Sequence, residues 1–80
     1  MSMRFIRKVI RVHRRDSAFL YAILESLDGM TSFSTLPDAP GQEHREIELF
    51  ISPESLADVN IVLDGMRKKF PIIELGEESR

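Results

Sequence analysis

The sequence predicts an α+β sandwich of the ferredoxin-like kind, a four-stranded antiparallel sheet in spatial order 4-1-3-2 with both helices on one face. Two segments repeat apolar residues at helical spacing, four short segments alternate or run apolar at strand spacing, and their order along the chain is β-α-β-β-α-β. Eighty residues are enough for one domain, so the reading is a single domain over 1–80.

The first strand comes from RFIRKVIRVHRR. As a strand it sets Ile6, Ile10 and Val12 on one face, with Lys8 the exception, and Phe5, Arg7, Val9, Arg11 and His13 on the other. As a helix it would gather Phe5, Ile6, Val9, Ile10 and Val12 against a cationic side, which suits a targeting peptide or a membrane-surface anchor. The β-branched residues and the lack of a capping residue favour the strand.

Asp16 is then expected to cap a helix with Ser17 in its first turn, and Leu20, Ile23, Leu24 and Leu27 form its buried stripe. Gly29 stands where the helix needs a left-handed residue to stop. Met30 to Leu36 reads as a second strand, an edge with Phe33 as buried anchor and Ser32, Ser34 and Thr35 exposed. Residues 37–45, rich in Pro and Gly, read as a mobile loop. In EIELFI, Ile47, Leu49 and Ile51 face inward while Glu46, Glu48 and Phe50 face outward.

Ser52 is expected to cap the second helix, with Pro53 at its first position and Leu56, Val59, Leu63 and Met66 as its core stripe. Val62 lies beside that stripe and Phe70 at its end, and Arg67, Lys68 and Lys69 complement the last carbonyls. Pro71 stops the helix, IIEL forms the last strand, and residues 1–3 and 76–80 read as flexible ends.

Composition excludes several classes of function. No Cys is present, which removes disulfide, thiolate and Cys-type zinc chemistry. No apolar run approaches the length of a membrane span. The net charge is −2, yet Arg4, Arg7, Lys8, Arg11, Arg14 and Arg15 crowd the first fifteen residues, where no acid occurs. The expectation is a cytoplasmic protein of bacterial style, and so short a chain is expected to associate as a homodimer.

The run FLYAILESLDGMTSFSTL, an acidic third strand and the SPESL…FPIIEL ending resemble a family of small bacterial proteins known only as a domain of unknown function. The resemblance spans Ile6 to Leu75 and rests on Glu25, Asp28-Gly29, Thr35 and a Pro-started last strand; it implies a fold and no activity. More distantly the chain is similar to the ACT domain, a regulatory βαββαβ module that binds amino acids between paired subunits. Asp16 stands where that family has its Asp-x-Pro-Gly turn, but Ser17 and Ala18 follow it without the Pro and Gly.

Four kinds of site can be weighed. RNA binding of the RRM type would need stacking aromatics in basic surroundings, whereas Phe50 is flanked by Glu46 and Glu48. With β1 beside β3, Arg7 and Arg11 can instead pair with those two glutamates. The β1–α1 junction, with Arg14, Arg15 and Ser17 and with Asp28 and Gly29 at the far turn, is the candidate anion or small-molecule site of an ACT-like sensor. His13 and His44 fall on different segments and no carboxylate pair stands out, so no metal, cofactor or catalytic residue is nominated. The remaining candidate is a protein interface through Phe5, Arg7, Val9, Arg11, Phe50 and Ile61, and it is preferred: a non-catalytic binding or regulatory module. Its partner would be a second copy, through the bare sheet face or the β2 edge, or another protein.

Overall fold

The computed structural model describes residues 4–27, 29–38 and 40–79. The candidate ligand residue Asp28 and the terminal segments 1–3 and 80 lie outside them. The architecture is the ferredoxin-like sandwich: β1 (Ile6–His13), α1 (Arg14–Glu25), β2 (Thr31–Thr35), β3 (His44–Ile51), a short 3-10 turn (Pro53–Ser55), α2 (Leu56–Arg67) and β4 (Ile73–Ser79). The sheet order is β2-β3-β1-β4, and every neighbouring pair is antiparallel.

Alternation in β1 and β3 sorts their residues into two layers. Ile10, Val12, Ile47, Leu49 and Ile51 are fully buried and pack with Leu20 and Leu24 of α1 and Val59, Leu63 and Met66 of α2. Both helices therefore lie over this face, and the opposite face is free of them. Tyr21 stacks on Phe33 at 5.7 Å and closes the α1–β2 side of the core. Phe70 meets Phe19 edge-on at 6.0 Å beyond the end of α2.

Several boundaries differ from those the sequence suggests. α1 follows β1 without a linker, and its cap is His13, whose Nδ1 accepts the Arg15 N–H at 3.1 Å; Asp16 sits in the first turn. Ser52 makes no side-chain cap, because its hydroxyl turns 3.5 Å to the Met30 carbonyl. The loop ends earlier than expected, since His44 and Arg45 already belong to β3. At the other end, β4 runs through 76–79, which the polar sequence GEES had marked as a flexible tail, and pairs there with β1 as far as Ile6 opposite Ser79. Acids can continue this strand because β1 supplies cations across the ladder. Leu75 is the extra residue of a bulge, where pairing passes from Val9–Gly76 to Ile10–Glu74.

Gly29 has φ +89°, a conformation that penalises a β-carbon, whereas Gly65 lies within helical α2 with open space around it. Urea denaturation is expected to show Gly29→Ala destabilised by about 1 kcal/mol and Gly65→Ala stabilised by roughly 0.5–1 kcal/mol.

Candidate functional site

The open sheet face is an ordered field of charge. Arg7 pairs with Glu48 on β3 and reaches Glu78 on β4 at 3.3 Å, and Arg11 pairs with Glu46 at 2.7 Å. Ser34 on β2 adds a 3.5 Å contact to the second oxygen of Glu48. The pairing inferred from charge alternation is thus present, in the register Arg11 opposite Glu46 and Val9 opposite Glu48. Val9 is the correction: the sequence makes it an exposed contact, but it is only 8% exposed, because the arginines before and after it on the same face bend to acids beside it. Arg11 Nε is enclosed without an acceptor. Ile73, opposite Arg11 on β4, leaves an apolar side chain half exposed at one border.

At the other border the face ends in a hollow of about 210 Å³, lined by Phe5, Phe50, Met30, Ser32, Ser52 and the Gly29 turn. Its polar groups are largely spent on the backbone. Thr31 Oγ1 donates to the Phe50 carbonyl at 3.0 Å, and Ser52 is held to Met30. What remains is an apolar notch beside a charged lattice.

The proposed interface set therefore divides. Phe5, Arg7, Arg11 and Phe50 share the open face, with Val9 buried among them. Ile61 lies on α2, exposed at 68%, on the helix side of the sandwich.

The proposed ligand set divides as well. Arg14, Arg15 and Ser17 start α1, while Gly29 follows its end, and twelve residues of helix separate them by about 18 Å. The groups at the helix start are also committed. Arg14 donates through Nε to the Gln42 carbonyl at 2.6 Å and pairs with Asp38, and its own N–H reaches Glu43 at 2.8 Å. Ser17 is buried, donating to the Arg14 carbonyl at 2.7 Å and accepting from Arg45 at 3.3 Å. These bonds tie the β2–β3 loop to the helix start. Arg15 alone projects, 75% exposed.

Two groupings were not read from sequence. His13 and His44, assigned to different segments, stand opposite each other across the β1–β3 ladder with rings 5.4 Å apart. Arg11, Arg14, Arg15 and Arg45 are their near neighbours in sequence, and among the described residues no group of three potential metal ligands occurs.

The second grouping is centred on Lys8. The lysine that breaks the apolar alternation of β1 lies 3% exposed on the helix-covered face. Its Nζ donates to Asn60 Oδ1 of α2 at 2.8 Å and lies 3.0 and 3.2 Å from Glu74 and Glu77 of β4. Arg67 also reaches Glu74 at 3.3 Å. One buried ammonium thus braces α2 and β4 against β1. The signal was the cation itself, but one of its partners, Glu77, lay in what looked like a tail.

The fold invites comparison with known proteins. No family model matches the sequence, and no curated protein matches it. Among solved structures, the chain is similar to a protein of Thermus thermophilus described as a PII-like signalling protein. The two share a TM-score of 0.67 at 11% identity, over 98% of this chain and 87% of that one. The similarity shows a shared fold. No helix among the described residues is long and apolar enough to cross a membrane.

Lys8 provides a test of what the brace contributes. Glu74 and Glu77 keep access to water, so Lys8→Met strands no buried charge and is expected to change stability by less than about 1 kcal/mol. The double variant Glu74→Gln/Glu77→Gln leaves the ammonium buried beside neutral groups and is expected to cost about 3 kcal/mol. Denaturant titration of the two variants distinguishes these outcomes.

Proposed function

We propose that the protein is a regulatory module that acts by binding another protein through its open sheet face, without chemistry of its own. The observation that carries this is the pairing, on one uncovered face, of the Phe5–Phe50 hollow with the Arg7–Glu48 and Arg11–Glu46 lattice. A hollow of this size accepts an aromatic or branched side chain, and buried aromatic anchors dominate interface energies. The ion pairs around it fix orientation more than affinity. The shared fold with a protein described as PII-like and signalling accords with a regulatory role. At the β1–α1 junction, by contrast, Arg14 is tied to the loop and Ser17 is buried, and Gly29 contributes to the hollow instead.

A photo-crosslinking residue tests this reading. Placed at position 50 in cells that make the protein, it is expected to form a covalent adduct with a partner; at position 61, on the helix side, it is expected to form none. Equal labelling at both positions, or no adduct at 50, removes the open face as the contact surface. Phe50→Glu is expected to abolish partner binding while shifting stability by less than about 1 kcal/mol, since Phe50 is only half-buried.

A further inference from the structure

The sheet has two edges, β2 and β4, and they are built differently. β4 carries Glu74, Glu77 and Glu78 and a bulge, devices that discourage a second strand from adding. β2 has none of them: from Gly29 to Pro37 no residue is charged, in a chain that is 30% charged.

The hydrogen-bond phase of β2 follows from its ends. Ser52 N–H donates to the Met30 carbonyl at 3.2 Å and Leu36 N–H to Glu46 at 2.8 Å, so the even-numbered residues bond to β3. The backbone groups of Thr31, Phe33 and Thr35 point away from the sheet. Thr31 N–H is taken by Leu27 at 3.3 Å, which leaves the N–H groups of Phe33 and Thr35 and the carbonyls of all three facing outward.

The sequence of this strand, Thr31-Ser32-Phe33-Ser34-Thr35, reads the same in both directions. An antiparallel pairing about Phe33 sets Phe33 against Phe33, Ser32 against Ser34 and Thr31 against Thr35. We infer that β2 is the dimer seam: two copies pair through this edge about a two-fold axis normal to the sheet, making one continuous eight-stranded sheet. Each outward N–H of Phe33 then donates to the Phe33 carbonyl of the other copy, and each Thr35 N–H to the opposite Thr31 carbonyl.

The side chains agree with this pairing. A groove of about 300 Å³ runs between α1 and β2, lined by Leu24, Glu25, Thr31 and Phe33, and it gives the second copy's Phe33 a place to pack. Glu25 lines the groove at the Thr31 end, while the Tyr21 hydroxyl bonds to Thr35 at the other. The two-fold brings the Glu25 carboxylate of one copy toward the Tyr21 hydroxyl of the other, an acceptor toward a donor. Both copies keep their helices on the same side, so the open faces lie coplanar and uncovered.

Sedimentation equilibrium of the wild-type chain is expected to give a dimer. Ser32→Lys/Ser34→Lys places lysine opposite lysine at two points of the seam, and Ser32→Glu/Ser34→Glu does the same with carboxylates. Each variant alone is expected to be monomeric, and an equimolar mixture to recover the dimer as a heterodimer. Amide exchange of the unaltered protein gives a readout independent of these substitutions. Phe33 and Thr35 are expected to exchange at least tenfold more slowly in the dimer than after dilution to monomer. A monomeric wild type, a dimer that survives in either charged variant, or rapid exchange at both amides in the dimer overturns the seam. Phe50→Glu is expected to leave the dimer intact; dissociation by that variant would place self-association on the open face instead.

Discussion

The antiparallel pairing of β1 with β3, from Ile6 opposite Ile51 to His13 opposite His44, decides which side chains share each layer of the molecule. In this register Ile10 faces Ile47 and Lys8 faces Leu49 beneath the helices, while Arg11 faces Glu46 and Val9 faces Glu48 on the open side. A slip of one residue would carry the arginines into the core and the isoleucines into water, so both layers hold the register at once. The apolar layer supplies the energy through burial. The ionic layer adds to it by setting Arg7 and Arg11 each beside an acid of β3.

Lys8 is the one residue that runs against this sorting, and the structure shows why it is tolerated. β4 adds little to the core; Ile72, just before it, is buried, while Ile73 and Leu75 are exposed. Its attachment depends on the backbone ladder to β1 and on ion pairs, with Lys8 holding Glu74 and Glu77 and Arg7 holding Glu78. Half of the basic crowding of the first fifteen residues, Arg7, Lys8 and Arg11, is accounted for by acids on the two neighbouring strands. β1 is the central strand between acid-bearing β3 and β4, and its cations serve both neighbours.

What the sequence revealed and what it concealed follow from the range of the interactions involved. Leu20, Leu24, Val59, Leu63 and Met66 were legible because helix periodicity is a local property, and Ile47, Leu49 and Ile51 because strand alternation is. The Arg–Glu pairs of the open face were legible once the strand order was set. Val9 was not, since its burial comes from arginines that bend to acids on β3 and β4. The true length of β4 was hidden for the same reason: GEES is polar by composition and becomes a strand only against the cations of β1. The helix cap was misplaced by a few residues because His13 serves both the end of β1 and the start of α1. The ligand set falls in two places, as Arg14, Arg15 and Ser17 start the helix and Gly29 follows its end, a separation that fold analogy does not register.

The charge balance of the lattice, two arginines against three acids, also constrains what the open face can recognise. Arg7 and Arg11 are each matched by an acid, so the lattice has little net charge to offer a polyanion or an anionic surface, and long-range attraction contributes little. A partner gains by filling the Phe5–Phe50 hollow and by matching alternating charges at short range, which rewards a shaped protein surface over a flexible polyelectrolyte. The eight-stranded seam would double this effect, because two hollows and two lattices related by the two-fold lie on one surface. A partner that is itself two-fold symmetric could then engage both at once, with the second contact favoured by the effective concentration the first creates.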